Sequence, residues 1–181
     1  MTAPILGTLA WRPAPDVPEL LAPPVAELIA RLGLEAYAAA INPSLADTAA
    51  FCAAYEVPLE RSANCVVVSG RRGDQVTTAA CLVLATDRAD INKVIRRHLD
   101  VRKISFAPME EAVSRTGMEY GGITPVGLPA GWPILVDSAV AAGDWLVVGS
   151  GIRGSKLAVS GATLGELPHA EVLTLRLSAT G

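Results

Sequence analysis

A pair of β-forming runs near the middle of the chain limits the folds that are open to it. The runs are NCVVVS at residues 64–69 and VTTAACLVLAT at residues 76–86, and GRRGDQ separates them. Apolar, β-branched runs on either side of a short glycine-containing turn predict a β-hairpin. The tripeptide Arg72-Gly73-Asp74 also spells an adhesion motif, but between two strands we interpret it as the turn of the hairpin. The chain therefore contains an antiparallel strand pair, which excludes an all-helical fold.

Helical and strand patterns are mixed along the rest of the chain. Helices are predicted at residues 25–32, 45–55, 90–99, 108–115 and 162–167. Further strands are predicted at residues 37–41, 103–106, 134–136, 145–149, 157–159 and 170–175. Because strands outnumber long helices and short turns join many neighbours, we expect an α+β fold with a mixed, largely antiparallel sheet. We expect an irregular, proline-rich lead-in over residues 1–24 and a single compact domain over residues 25–181.

The composition narrows the class of protein. Hydrophobic residues make up 51% of the 181 residues and aromatic residues only 4%, so Ala, Val, Leu and Ile should form the core. No apolar run reaches the roughly 18 residues of a membrane-spanning helix, and the first residues lack the regions of a signal peptide. Three isolated cysteines and two distant histidines favour neither a disulfide framework nor a zinc site. We expect a soluble cytoplasmic protein without a metal.

The charge pattern restricts contacts with nucleic acid to a local patch. The formal net charge of −3 provides no overall attraction for RNA or DNA. The densest basic cluster lies on one predicted helix and just after it, at Lys93, Arg96, Arg97, His98, Arg102 and Lys103. A solvated helix face is the simpler interpretation of this cluster, and contact with phosphate groups is the alternative.

Two further motifs have chemical interpretations that their context weakens. GSGIRG at residues 149–154 matches the glycine pattern of a dinucleotide site, which requires a following helix, but SKLAVS follows and alternates like a strand. A glycine turn that presents Arg153 and Lys156 to an anionic group remains possible. Cys65 has no evident His or cationic partner to activate its thiol, so we interpret it as a core residue rather than a nucleophile.

A specific order of segments extends over most of the chain. The hairpin strands are followed by DINKVIRRHLDVRKISFAPMEEAVSRTG, by the glycine loop GGITPVG, by PILVDSAV and by WLVVGSGIRGSKLAVSGATLGEL. In this order the chain resembles the YbaK/prolyl-tRNA-editing (INS-like) family of aminoacyl-tRNA deacylases, over about residues 45–175 and most strongly over residues 90–167. The resemblance implies a compact α+β domain with a curved sheet flanked by helices. It also implies hydrolysis of the ester of a wrongly charged amino acid on tRNA, without a metal or organic cofactor.

The resemblance gives the glycine loop a role. Family members use a G-x-x-x-P loop to hold the aminoacyl carbonyl and the terminal adenosine of tRNA. The corresponding residues are Gly121, Gly122, Ile123, Thr124 and Pro125. Glycine lets backbone amides approach an ester oxygen, and removing such an oxyanion donor typically lowers the rate by about 10²–10³. The resemblance thus implies that the amides of Gly121 and Gly122 polarise the carbonyl.

Later segments of the chain match further family positions. By resemblance, the substrate site includes Asp137 and the turn residues Gly149, Ser150 and Gly151. The turn that follows would face the acceptor end of tRNA. The candidate tRNA-binding cations are Arg153, Lys156 and Arg72.

The chain departs from the family pattern at the start of the hairpin. Many members have a lysine where this chain has Asn64. Asparagine carries no charge, but its amide both donates and accepts hydrogen bonds. We therefore predict that Asn64 orients the substrate or the attacking water, and that a cation would have to come from Lys156, Arg153 or Arg72.

The segment before the hairpin suggests the size of the substrate. In the family this helix helps shape the amino-acid pocket, and here it reads LADTAAFCAAYEVP. Its small side chains predict a pocket for a small amino acid such as Ala, Ser, Thr or Cys. Asp47 is a candidate for binding the amino group and Thr48 for binding a hydroxyl. N-terminal capping of the helix is the alternative for both residues.

These observations favour one function and leave a rival open. The leading hypothesis is a free-standing hydrolase that removes a small mischarged amino acid from tRNA, with the tRNA acceptor end as its partner and a synthetase as a second candidate partner. The rival is a module that lacks the family lysine and only binds aminoacyl-tRNA, a nucleotide or a protein. A nucleotide-dependent enzyme built on GSGIRG is disfavoured because no helix follows the motif. The amino acid, the tRNA and the oligomeric state stay open.

Overall fold

The computed structural model describes residues 2–177, in which strands form two sheets. In chain order the strands are β1 (Arg12–Pro13), β2 (Ala36–Ala40), β3 (Ala63–Arg72), β4 (Gln75–Leu84), β5 (Lys103–Phe106), β6 (Ile134–Asp137), β7 (Trp145–Gly149), β8 (Ser155–Ser160) and β9 (Ala170–Leu173). The first sheet has the order β1-β2-β8-β7 and is antiparallel. The second has the order β5-β3-β4-β6-β9, in which β6 runs parallel to both neighbours.

Short helices connect and cover the strands. They are α1 (Pro23–Leu32), α2 (Thr48–Tyr55), α3 (Arg96–His98), α4 (Met109–Thr116), α5 (Ser138–Ala141) and α6 (Gly161–Gly165). A π-helical turn, Ile91–Ile95, leads directly into α3. The predicted α+β class is confirmed. No helix within residues 2–177 is both long and apolar enough to cross a membrane.

The predicted hairpin is the longest strand pair in the described part of the chain. Residues pair from Ala63 with Leu84 to Arg72 with Gln75, so both strands extend closer to the turn than the sequence indicated. Gly73 has φ 61°, the left-handed value that a tight two-residue hairpin turn needs at its first central position. The glycine in the adhesion-like tripeptide is therefore required by the turn.

The two sheets face each other across one apolar core. The sequence predicted a single sheet, but β7 and β8 pair with β2 and with each other rather than with the hairpin. Ser62 and Val147 form an isolated parallel bridge that joins the two sheets. Side chains from both sheets and from α1 meet in the core, among them Leu82, Val136, Leu157 and Val25.

The outer faces of the sheets are covered by different segments. The N-terminal residues and α2 cover the first sheet, and the π-helical turn with Leu99 and Leu175 covers the second. Several side chains of the predicted lead-in are buried: Leu6, Trp11, Ala14, Val17 and Leu21. Residues 2–24 also contribute β1, which pairs with β2. In the structure this segment is thus packed into the domain, because its apolar side chains close the edges of the core.

The edge of β3 is only partly covered by its neighbour β5. The two strands pair from Val68 to Arg71, and the N–H of Ala107 adds one bond to the carbonyl of Val67 at 2.9 Å. The beginning of β3, residues 63–66, lies beyond the end of β5. This uncovered stretch contains Asn64 and borders the cavity described next.

Candidate functional site

A cavity of about 800 Å³ lies at the uncovered edge of β3. Its wall is formed by the start of α2 and the residues before it, the start of β3, the end of β5, α4, the glycine loop, the end of β7 and the start of β8. The volume lies within the range of about 300–1,000 Å³ that is usual for small-molecule sites. Elements from both sheets therefore meet around one space.

The cavity brings together seven of the residues predicted from the sequence: Asp47, Thr48, Asn64, Gly121, Ile123, Gly149 and Lys156. Other predicted site residues are outside its wall: Gly122, Thr124, Pro125, Asp137, Ser150, Gly151, Arg153 and Arg72. The physical reasons for this division differ from residue to residue.

Asn64 is held by the first residue of α2. The Thr48 hydroxyl donates to Oδ1 of Asn64 at 2.6 Å, although the two residues belong to different elements. Because Oδ1 accepts this hydrogen bond, the amide nitrogen of Asn64 faces away from Thr48 and can donate hydrogen bonds to another group. It has no acceptor within residues 2–177. Asn64 is half-buried on the cavity wall and so provides a neutral donor there.

Asp47 caps α2 and still has a free oxygen. Its Oδ1 accepts hydrogen bonds from the N–H groups of Ala49 at 3.1 Å and Ala50 at 3.4 Å. The capping role considered for Asp47 is therefore present, as is usual for an N-cap aspartate. No group within residues 2–177 donates to its Oδ2. Thr48, by contrast, directs its hydroxyl to Asn64 rather than to the helix backbone.

Lys156 is a buried cation in the cavity wall. Only 7% of the residue is exposed, and its Nζ donates to the carbonyl of Ala46 at 2.9 Å. The ammonium also lies 5.0 Å from the centre of the Phe51 ring, a favourable position for a cation. Burial lowers the pKa of Lys156 below its ordinary value of 10.5, and the nearby Cys52 and Asp47 oppose this shift. Two of its three N–H donors remain for a ligand.

Lys156 and Asn64 are linked through three consecutive residues. Ala46 accepts from Lys156, and Thr48 donates to Asn64. The segment from Ala46 to Thr48 therefore connects β8 to β3 across the cavity. Asn64 and the buried ammonium of Lys156 are thus parts of one hydrogen-bonded wall.

The glycine loop and the GSGIRG turn form one packed unit. The N–H of Gly151 donates to the carbonyl of Gly122 at 2.8 Å, and the N–H of Glu119 donates to the carbonyl of Gly151 at 2.8 Å. The Arg153 guanidinium donates to the carbonyls of Tyr120 and Pro43, each at 3.1 Å. Arg153 therefore tethers the two loops instead of extending freely into solvent.

Glycine is required in these loops mainly because two backbones approach closely. A Cβ on Gly122 would lie 2.7 Å from the carbonyl carbon and oxygen of Ile152. A Cβ on Gly149 would overlap the carbonyl oxygen of Gly122. Gly121 differs, because it has φ 81°, a left-handed conformation that side chains disfavour.

The amide donors of the loop differ from the predicted pair. The N–H of Gly122 already donates to the carbonyl of Glu119 at 3.0 Å, so it is occupied. Neither Gly121 nor Ile123 donates its N–H to an acceptor within residues 2–177, and both residues border the cavity. Of the two predicted donors, the Gly121 amide is free to donate a hydrogen bond to a ligand. The Gly122 amide instead holds the loop together through its bond to Glu119.

The remaining residues of the two loops are buried behind the cavity wall. Thr124 is fully buried, and its hydroxyl has no partner within residues 2–177. Pro125 borders a separate cavity of about 300 Å³ near Trp132. The Ser150 hydroxyl lies 2.7 Å from that of Ser155 and also donates to its carbonyl at 3.1 Å. These residues support the loops and are not placed to touch a ligand in the cavity.

Asp137 and Arg72 are held away from the cavity by other partners. Asp137 is fully buried, accepts from Ala139 at 2.9 Å, and accepts from Leu175 at 2.7 Å through its other oxygen. It thus joins the start of α5 to the C-terminal segment instead of meeting a substrate. Arg72, at the hairpin turn, forms an ion pair with Asp100.

The structure gives no sign of an activated thiol at Cys65. This residue borders the cavity and packs against the core between the sheets. Burial, with a smaller contribution from Cys81, raises the pKa of the Cys65 thiol above its ordinary value. A raised pKa disfavours the thiolate, which is the nucleophilic form. The interpretation of Cys65 as a packing residue therefore agrees with its surroundings.

Sequence reasoning did not identify the exposed side chains at the mouth of the cavity. Phe106, Met109 and Tyr120 border the cavity with 64%, 52% and 61% of their surface exposed. They come from the end of β5, the start of α4 and the glycine loop. No sequence pattern could have identified them as a group, because they approach one another only in the folded chain.

The sequence of the chain matches one known protein family. The sequence model of the aminoacyl-tRNA editing domain matches residues 42–167. That range includes the seven predicted residues that border the cavity. A comparison with curated proteins found no match.

Solved structures share the fold at low sequence identity. A candidate trans-editing enzyme for prolyl-tRNA synthetase superposes with a TM-score of 0.70 at 20% identity, covering 87% of this chain and 99% of its own. The hypothetical protein APE2540 gives a TM-score of 0.75 at 22% identity, covering 85% and 99%. A scaffold protein used for computational grafting of epitopes gives 0.74 at 19% identity, covering 87% and 97%. These likenesses establish the fold.

Proposed function

The chain belongs to the aminoacyl-tRNA editing domain family, and on that premise we propose that it hydrolyses the ester between a small amino acid and tRNA. The observation that carries the proposal is the buried ammonium of Lys156 in the wall that also contains Asn64. By the family resemblance, many members have a lysine at the position of Asn64, and here β8 of the other sheet provides a cation on the same cavity wall instead. The site therefore retains a positive charge despite the substitution.

In the proposed reaction a water molecule attacks the ester carbonyl. A bond forms between the water oxygen and the carbonyl carbon, the bond to the ribose oxygen breaks, and a proton from the water passes to that oxygen. The products are a free amino acid and tRNA with its hydroxyl restored. Negative charge develops on the carbonyl oxygen during attack, so groups that stabilise this charge lower the barrier.

Two groups of the chain are suited to stabilising that charge. The Gly121 amide is a free donor at the cavity, and Lys156 has two donors beyond the one given to Ala46. Charge interactions are stronger away from bulk water, so a buried ammonium has a larger effect than an exposed one. The Asn64 amide nitrogen, oriented by Thr48, is a third donor that can position the attacking water or the ester.

We propose a small amino acid, such as Ala, Ser, Thr or Cys, as the acyl group, on the resemblance of the segment before β3 to the family's pocket helix. Short side chains of that segment and of β3 border the cavity: Ala46, Ala49, Ala63 and Cys65. The free Oδ2 of Asp47 can accept a hydrogen bond from the amino group of the aminoacyl ester while Oδ1 caps α2. Separate hydrolysis of such errors is useful because charging sites discriminate poorly between small apolar side chains.

The proposed partner and location follow from this substrate. The acceptor end of tRNA enters the cavity, and a synthetase that releases the mischarged tRNA is a second proposed partner. A cytoplasmic location accords with the three free cysteines, Cys52, Cys65 and Cys81, which are the form expected in a reducing compartment.

Deacylation of a panel of mischarged tRNAs tests the proposal. We expect the chain to release Ala, Ser, Thr or Cys from at least one tRNA and to leave tRNAs charged with Phe or Leu intact. Arg12→Gln, which changes an exposed residue away from the cavity, is the control for the handling of the protein and should retain full turnover. Tight binding of the mischarged tRNAs without release of any amino acid would contradict the proposal and indicate a binding module.

A further inference from the structure

A basic groove lies along β5 and is separate from the cavity. Two adjoining depressions of about 490 and 760 Å³ share Arg96 and Arg102 in their walls. We call this surface the basic groove and define it by its cations: Arg71, Lys93, Arg96, Arg97, Arg102 and Lys103. The side chains come from β3, from the π-helical turn with α3, and from β5 with the residue before it. The cations therefore come from three segments of the chain, whereas a solvated helix face would present cations from one helix only.

The positive charge of the groove is not neutralised by neighbouring carboxylates. All six cations are exposed, and none forms an ion pair within residues 2–177. The nearby Asp100 is paired with Arg72, and Glu171 is paired with His98 at 2.8 Å. Arg96 is held in place by the carbonyls of Asn92 at 2.9 Å and Arg102 at 3.4 Å. At least one cation is thus fixed in the groove before any ligand arrives.

The groove contrasts with the charge of the rest of the molecule. Outside it the chain has nine Lys and Arg residues against eighteen Asp and Glu residues, a formal charge of −9. The chain as a whole would repel a polyanion, while the groove alone attracts one. Six adjacent like charges also repel each other, and an anion seated among them relieves that repulsion. A polyanion with regularly spaced charges matches such an extended surface better than a single small anion.

The groove adjoins the mouth of the cavity through β5. Ser105 borders the groove, and the next residue, Phe106, borders the cavity. Strand residues advance by about 3.3 Å each, so Lys103 and Phe106 are about 10 Å apart along β5. One strand of duplex DNA advances by about 3.4 Å per nucleotide, and on that scale the distance corresponds to about three nucleotides. An RNA whose end enters the cavity would reach the groove within a few nucleotides.

We propose that the basic groove binds phosphate groups of the tRNA whose aminoacylated end enters the cavity. The identification of the RNA as tRNA rests on the proposed function. Phe106 and Tyr120, exposed at the cavity mouth, supply ring faces for bases of the single-stranded end, since base stacking on aromatic side chains is tolerant of sequence. The groove then holds the adjoining backbone, and its contacts are independent of sequence because phosphates are the same at every nucleotide.

Matched charge variants test the proposal in a binding assay with uncharged tRNA. The groove variant replaces Lys93, Arg97 and Arg102 with Gln, and the control replaces Arg12, Arg31 and Arg88, which are exposed elsewhere, with Gln. Both variants change the formal net charge from −3 to −6, so only the position of the lost charge differs. We expect the groove variant to bind about tenfold or more weakly at low salt, with a slope of log K against log salt that is smaller by about 2–3. The control should stay within about twofold of the original chain.

A second readout separates this proposal from the proposed function. Hydrolysis of a 3′-aminoacyl-adenosine, which is too short to reach the groove, should be unchanged in the groove variant. If no ester is hydrolysed by any form, the binding difference between the two variants still decides whether the groove holds RNA. Equal tRNA affinity and equal salt slopes for both variants would overturn the proposal and favour an acidic protein as the occupant. Should the triple variant fail to fold, Arg97→Gln alone should reduce the slope by about 0.7–0.9.

Discussion

The basic groove lies along β5, the cavity begins at Phe106 at the end of that strand, and the two regions use positive charge in different ways. The cavity wall contains the buried ammonium of Lys156, which donates a hydrogen bond to Ala46. Burial lowers the pKa of this group. In the groove six cations are exposed and lack carboxylate partners among residues 2–177. A buried charge acts strongly on one point, whereas exposed charges act together and are screened by salt. Changes in the cavity should therefore alter the rate of hydrolysis, and changes in the groove should alter RNA affinity and its salt dependence.

The largest effect in this comparison is expected for Lys156→Met, which removes the buried charge and keeps an apolar side chain of similar length. We expect turnover of mischarged tRNA to fall by about 10²–10³, the usual loss for a group that stabilises an oxyanion. The KM for tRNA should change little. Lys103→Met in the groove is the matched control, with kcat retained and KM raised in a salt-dependent manner. Similar kinetic changes in both variants would remove the distinction between the two regions.

A smaller effect on turnover, with a loss of stability, is expected for Gly122→Ala. The added Cβ would lie 2.7 Å from the backbone of Ile152, so the glycine loop and the GSGIRG turn must separate. Such overpacking typically destabilises a fold by about 1–3 kcal/mol. Gly154→Ala is the control in the same turn, because its nearest neighbour is 3.8 Å away. Urea unfolding should show the loss for Gly122→Ala alone, and equal stability of the two variants would contradict the packing account.

The smallest effect is the pH dependence of stability that Lys156 contributes. Its pKa in the folded chain is below the ordinary value of 10.5, so between the two values the unfolded chain binds more protons. Stability therefore rises with pH in that window, and at lower pH the cost of burying the charge remains. Relative to Lys156→Met, the original chain should gain stability as pH rises towards 10.5. Urea unfolding of both forms over this range measures the difference, and a constant difference would show that the folded pKa is not lowered.

The sequence predicted the local elements better than their contacts. Turn chemistry and β-branched runs identified the β3–β4 hairpin, and the order of segments identified the glycine loop. The division into two sheets depends on which distant strands pair, and local patterns do not contain that information. The burial of the Lys156 side chain was hidden for a similar reason. β8 is buried on both faces, between the core shared by the sheets and the layer that contains Phe51, so its alternation shows no solvent side.

The same distinction between local pattern and distant contact applies to the residues of the site. Asn64 and Gly121 were proposed from family positions in the chain, and both border the cavity. The role of Asp137 could not be predicted, since its carboxylate is enclosed by backbone N–H groups of Leu175 and Arg176, which are distant in sequence. The occupied amide of Gly122 likewise became evident only from its bond to Glu119. Motifs identify which residues are near a site, whereas hydrogen-bond partners decide which of their atoms are free.

Moving the cation from β8 to β3 tests the central claim most directly. The claim is that the cavity needs one positive charge, supplied by Lys156 in place of a lysine at position 64. The measurement is the single-turnover deacylation rate of Lys156→Met with and without Asn64→Lys. We predict that the second change restores the rate to within about tenfold of the original chain, since a charge at either position of the wall can stabilise the same oxyanion. An unimpaired rate for Lys156→Met alone, or no recovery in the double variant, would contradict the account.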